Sequence, residues 1–341
     1  VCFKDSKLPG DAKRARLVGR ALIVKGACVQ TRGDWAWYKQ LLGLTGWSPE
    51  GSSGRCCWKC LANRTTHPFT DPTLRALWRR TVLTHLQFVL LNMQSGAFMS
   101  VLFQAPGFIA DYITVDLMHT GDLGIVAYLL GNVLWELFVF VGGTATYLDS
   151  ALSTLLIMIR TSSKHLGLER SPIGYITLGM IKAEGKAPKF KANAGECRKM
   201  LQVVQFMLAN LFPRETAHEQ LRFNCLNSLH LVYLELEAWG PASADRASKL
   251  GRQHVILYAE LGRSCLDAEE TSARGWIAWR IYPKHHLCLH CIEEQLALAG
   301  NPRDCWTHGD ERSIARAVGL AEASNPKSLH RNIIARARLL S

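Results

Sequence analysis

The hydrophobic pattern of this chain changes period near residue 34. Residues 21–30, ALIVKGACVQ, run as an apolar, β-branched strand that ends at Gly33 and Asp34. The next ten positions, WAWYKQLLGL, carry their apolar residues at helical spacing. Asp34 therefore stands where a strand hands over to a helix, a place that exposes a carboxylate at a sheet's carboxyl edge. From there to about residue 280 the pattern is helical. Asp71-Pro72-Thr73 opens one helix, which RALWRRTVLTHLQFVLLNM continues, and apolar helices follow to residue 160. Four more are expected over 195–211, 215–237, 243–273 and 285–299, the last starting near His285 after Tyr282-Pro283. Residues 171–196, SPIGYITLGMIKAEGKAPKFKANAGE, break the period with Gly, Pro and Lys and read as a surface connection. The tail holds two short helices, GDERSIARAVGLAEA and SNPKSLHRNIIARARLL, with Asn325-Pro326 at the start of the second. There is no internal repeat.

One stretch brings in the membrane question. Residues 123–143, LGIVAYLLGNVLWELFVFVGG, are long enough to cross a bilayer and carry one charge, Glu136. A multi-helix membrane protein resting on residues 81–160 is therefore one expectation. The glycines, Asn132 and Glu136 within the run, and Asp116 and Asp122 on its flank, favour a buried helix pair in a soluble core. Composition sharpens this. With 48% hydrophobic and 20% charged residues and 10 Trp, the chain is globular and not disordered. Its 341 residues allow one large domain or two ordinary ones at roughly 150 residues each. The excess of 40 Lys and Arg over 28 Asp and Glu, +12 in all, points to an anionic partner, nucleic acid or an acidic membrane. The 11 cysteines are an odd number with a cluster at Cys56, Cys57 and Cys60, which fits a reducing, intracellular setting better than a disulfide framework. Val1 is preceded by no start methionine or signal pattern, so the chain is expected to be processed or part of something longer.

Three constellations carry candidate chemistry. In CCWKC, Cys57 and Cys60 have the spacing at which two thiolates reach one tetrahedral Zn²⁺, and two further ligands are needed. HHLCLHC supplies them: His286 and His290 are four apart on one helical face, with His285 and His290 a second pairing and the cysteines Cys288 and Cys291 a rival. Asp34, Asp116 in DLMHTGDLG and Glu311 in WTHGDERSI are carboxylates at element boundaries. Two-metal phosphoryl transfer needs such groups to converge from distant positions, whereas helix capping explains Asp116 and Glu311 as well. Finally, Arg312, Arg316, Lys327, Arg331, Arg336 and Arg338 form a basic C-terminal segment suited to backbone phosphates.

The ordered succession GDWAWYKQLLGLTGW, CCWKC, DLMHTGDLGIVAYLLGN, HHLCLH and WTHGDER resembles the DDE transposases of the CACTA type and the Kyakuja, Dileera and Zisupton elements, and more distantly the catalytic core of the V(D)J recombinase. The resemblance spans Gly33 to Arg312, including the interval of about twenty residues from His290 to Glu311. It implies a mostly α protein: an incomplete RNase H-like α/β core at residues 1–34, a zinc-knuckle-containing helical insertion at 35–280, and closing helices with a basic tail at 281–341. It further implies that Asp34 and Glu311 are catalytic, that Cys57, Cys60, His286 and His290 clamp a structural Zn²⁺, and that Asp116 and His119 form the family's D-x-x-H segment. In one alignment Asp34 is the second catalytic aspartate. The first is then absent, since Asp5 and Asp11 lie in turn-like basic surroundings, and the chain is a truncated, inactive descendant. In the other alignment Asp34 is the first and Asp116 the second. The implied activity is Mg²⁺- or Mn²⁺-dependent DNA strand cleavage and transfer in the nucleus by a homo-oligomer, with no small-molecule substrate, and Arg312, Arg316, Arg331, Arg336 and Arg338 bind DNA. The alternative is a non-catalytic, zinc-stabilised nucleic-acid-binding protein.

Overall fold

A computed structural model describes residues 30–44, 54–94, 103, 107–144, 146–266 and 278–309. They are mostly helical. Among them the only β pairings are two isolated parallel bridges, Thr31 with Ile113 and Asn63 with Pro68. The mostly α expectation stands, and an RNase H-like core is not formed by the described residues. Most of the expected strand, residues 21–29, lies outside them.

Helix α1 (Trp35–Leu42) begins where the pattern changes. The Asp34 carboxylate accepts the Trp37 N–H at 2.7 Å, and Gly43, at φ 63°, stops the helix in the left-handed region. The single helix expected from Asp71 is instead two pieces, a 3₁₀ turn at Leu77–Thr81 and α2 (His85–Gln94). The residues between them are held by the cysteine loop, because Leu83 N donates to Lys59 O at 2.8 Å and Leu61 N to Thr81 Oγ1 at 3.1 Å. Those contacts outbid the helical period.

A wide π-helical turn, Met118–Val126, runs into α3 (Ala127–Phe140) at the centre of the molecule. Leu129, Leu130, Val133, Leu134 and Leu137 are fully buried on several sides of α3, as a core helix requires. Met118–Phe140 is, among the described residues, the one helix long and apolar enough to cross a membrane, with 67% of its most apolar window buried by protein. Glu136, in its C-terminal half, accepts from Arg222 Nη1 and Trp279 Nε1, each at 2.8 Å, and pairs with His218 at 3.1 Å. Burial works to raise the Glu136 pKa, but His218 and Arg222 hold it below the usual carboxylate range.

Helix α4 (Leu148–His165) precedes the stretch expected as a loose surface connection. That stretch is largely irregular with one helical turn, α5 (Leu178–Ile181), but Ile173, Ile176, Ile181 and Phe190 are buried. It docks because Gly131 has no side chain: a Cβ there would lie 2.4 Å from Lys189 N, and the gap lets Phe190 N donate to Ala127 O at 2.8 Å.

Helices α6 (Ala194–Asn210) and α7 (Ala217–Glu237) each start with a capping box, Asn193 with Glu196 and Thr216 with Glu219. Helix α8 (Ser243–Leu266) packs along α7. A further helical run, α9 (Pro283–Leu289), a π-helical turn (His290–Gln295) and α10 (Leu296–Ala299), lies against α8 and the π turn before α3.

Candidate metal centre

The cysteine loop is stiffened before any ion is considered. Cys56 N donates to Ala62 O at 3.0 Å, and Lys59 N donates to Cys57 Sγ at 3.3 Å. This loop meets the junction of α9 with the π-helical turn that follows it, where His286 and His290, four apart, project together. The nearest donor atoms of Cys57, Cys60, His286 and His290 all lie within 4.8 Å of one another, and all four residues are buried. Cys60 Sγ is 3.3 Å from His286 Nε2 and 3.4 Å from His290 Nε2. A tetrahedral zinc with Zn–S near ~2.3 Å and Zn–N near ~2.0 Å separates sulfur and nitrogen by about 3.5 Å. The four side chains thus form a buried Cys₂His₂ cluster able to hold a structural metal such as zinc.

The surroundings suit that role. Trp78 packs edge-on against His286, centroids 4.4 Å apart, and lies 5.2 Å from His290. His290 Nδ1 donates to Glu294 Oε1 at 2.7 Å, the carboxylate–histidine arrangement that fixes a ligand's tautomer. Burial would raise the Cys57 thiol, yet the Cys60 hydrogen bond and the adjacent rings of His290 and His286 pull it well below the ordinary value. Burial works to lower His290, and Cys57 with Glu294 brings it up to about 9. Glu293 pairs with Arg79 and, at 2.7 Å, with Arg252, so the 3₁₀ turn Leu77–Thr81, α8 and the π-helical turn that carries His290 share one ion-pair knot.

The competing ligand sets fall away. His285 faces elsewhere: its Nδ1 accepts from Tyr282 N at 3.1 Å, its ring lies against Tyr258 at 4.5 Å, and burial pushes it down to about 3. Cys288 and Cys291 are buried but outside the cluster, and burial pushes the Cys288 thiol up to about 12.

Beside the cluster, Asp34, Asp116 and His119 border one cavity of about 270 Å³. The Asp116 carboxylate is held from all sides. Oδ1 accepts from Met118 N at 3.2 Å and Thr307 N at 2.9 Å; Oδ2 accepts from His119 N at 3.2 Å, His119 Nδ1 at 2.5 Å and Thr307 Oγ1 at 2.8 Å. Burial acts to raise its pKa, but His119 and Thr307 hold it below the ordinary carboxylate value. The capping role open to Asp116 from sequence is present here. Gln295 joins the two regions, accepting from Val115 N at 2.6 Å and donating to Val115 O at 3.2 Å, one residue before Asp116. A second buried carboxylate, Asp122, takes Arg198 Nη2 and the Tyr233 hydroxyl at 2.6 Å each, and lies 3.1 Å from His308.

Glu311, Arg312, Arg316, Lys327, Arg331, Arg336 and Arg338 lie outside the described residues. Sequence reasoning missed Glu294, although its i+4 spacing from His290 was a usable signal. It also missed Thr307, Lys189 and Lys284, for which the chain carries no local signal. Comparison with protein-family models, curated proteins and solved structures finds no match to this chain.

Proposed function

We propose that this chain is a transposase-like enzyme for metal-dependent DNA strand cleavage and transfer, with Asp34 and Asp116 as its first two catalytic carboxylates and Glu311 as the third. The register of one bridge supports this reading. Thr31 and Ile113 pair in parallel, with Thr31 N donating to Tyr112 O at 2.7 Å and Thr114 N to Thr31 O at 3.0 Å. A carboxylate follows each at the same offset, Asp34 three residues after Thr31 and Asp116 three residues after Ile113. Two extended segments paired in this way deliver both side chains to one edge, as the ends of adjacent strands in an RNase H-like core would. Bound Mg²⁺ or Mn²⁺ would activate the attacking water and stabilise the leaving oxygen.

The residues present fit this role unequally. Asp34 spends Oδ1 on its helix cap and keeps a second oxygen for a cation. Asp116 must release some of its five donors, and the Thr307 pair comes from the segment that leads in sequence to Glu311. The Cys₂His₂ cluster is structural in this scheme: through Gln295 it fixes Val115, and with it the position of Asp116.

The saturation of Asp116 favours a second reading, a non-catalytic, zinc-stabilised nucleic-acid-binding protein that uses its +12 charge. A plasmid-nicking assay with Mg²⁺ or Mn²⁺ separates the two. On the enzyme reading the chain nicks, and Asp34→Asn, Asp116→Asn and Glu311→Gln each abolish it. Nicking that persists in Asp34→Asn refutes that assignment. Salt-sensitive DNA binding without nicking selects the second reading.

A further inference from the structure

Phosphoryl transfer asks only for carboxylates, yet the cavity beside Asp34 and Asp116 has walls of another kind. Trp35, Trp58, Tyr128 and Tyr282 line it together with Lys189 and Lys284. Trp35 and Trp58 meet at a centroid distance of 4.6 Å, and Tyr128 stacks on Tyr282 at 4.2 Å with 14° between planes. The Lys189 ammonium lies 4.9 Å from the Tyr128 ring centre, and Lys284 Nζ donates to His119 O at 2.7 Å beside Asp116. Among the described residues the indole N–H groups of Trp35 and Trp58 have no partner, although both atoms are buried. A planar, π-faced ligand with an anionic group matches these walls: the rings accept its faces and two ammonium groups meet its charge.

We infer that this cavity binds one unstacked nucleotide, its base against the Trp35 and Trp58 wall and its phosphate between Lys189 and Lys284. The DNA-cleavage reading enters only in naming DNA as a source, since the same chemistry is offered by a free mononucleotide. The aromatic wall then does what carboxylates do not, holding a base away from its neighbours so that the adjoining phosphate lies near Asp34 and Asp116.

The full chain, zinc-loaded and without added Mg²⁺, is titrated with dAMP, deoxyadenosine and inorganic phosphate, followed by tryptophan fluorescence and calorimetry. The expected result is that dAMP binds more tightly than either fragment. Trp35→Ala should weaken dAMP and deoxyadenosine by about fivefold or more, the range of a lost base–aromatic stack, while Trp35→Phe retains most of the binding. Lys189→Met should weaken dAMP and leave deoxyadenosine unchanged. A second arm compares a paired duplex with one carrying an unpaired 2-aminopurine. Preference for the unpaired probe, lost in Trp35→Ala, identifies DNA as the source; dAMP binding without that preference identifies a free nucleotide. The inference is overturned if dAMP binds no better than phosphate, or if Trp35→Ala melts at the wild-type temperature and still binds dAMP as wild type does. Because no Mg²⁺ is present, loss of nicking in the cleavage assay and loss of nucleotide binding are read separately.

Discussion

Stripping the metal from the Cys₂His₂ cluster should destabilise the fold by a measurable and bounded amount. Cys60 and His286 are 0% exposed, and Cys57 and His290 1%. Without an ion, both imidazole Nε2 atoms converge on the single Cys60 sulfur, whose one proton satisfies at most one of them. At least one buried polar group then lacks a partner, at about 1–3 kcal/mol, so the loss is about 1–3 kcal/mol. Against a typical total stability of about 5–15 kcal/mol this is a sizeable share, and it corresponds to a fall in Tm of roughly 2–12 °C. Elemental analysis should find a single zinc per chain, and dialysis against a chelator followed by thermal melting should show that fall, reversed by refilling with Zn²⁺. The damage should concentrate where the cluster ties elements together, so limited proteolysis of the metal-free protein should cut first around Arg55 and Arg64. A verified metal-free protein that melts at the same temperature, together with Cys57→Ser at wild-type stability, would refute the argument.

Removing the outer carboxylate in Glu294→Ala should weaken zinc about 10–100-fold in a competition assay with a chromophoric chelator while leaving one zinc per chain at saturation. Gly131→Ala should cost about 1–3 kcal/mol in urea unfolding, because the new methyl meets the backbone of Lys189 and Pro188 at 2.4–2.7 Å; wild-type stability would contradict the close approach. His254 is fully buried, its Nδ1 donates to Cys225 O at 2.9 Å, and burial lowers its pKa from 6.5 to about 4. The unfolded chain therefore takes up this proton first, so stability is lost as pH falls from about 6.5 to about 4, by about 3 kcal/mol from this group. His254→Leu should flatten that part of the acid limb relative to wild type in paired urea titrations, and an unchanged difference between pH 7 and pH 4.5 would remove His254 as its source.

Helix positions and the two motifs that supply the ligands are the parts most legible in the chain. Periodicity located α6, α7 and α9 to within a few residues, because an amphipathic face and a cap are local properties. The ligands were legible because C-x-x-C and H-x-x-x-H spacings express the reach of side chains from one loop or one helical face. Which histidine of His285 and His286 belongs to the cluster was not legible, since adjacent residues on a helix differ only in the face they present, and packing against Tyr258 or Trp78 decides that. The break between Thr81 and His85 came from hydrogen bonds to a loop twenty or more residues away in sequence, which no local period records. The docking of residues 171–196 was hidden for the same reason: Gly131 makes room for them only after α3 is in place. The sequence alone determined that Asp34 would end an extended segment and start a helix. Only the tertiary structure paired Thr31 with Ile113, set Asp34 and Asp116 beside one cavity and brought Thr307 onto Asp116, because each of those contacts joins segments distant in the chain.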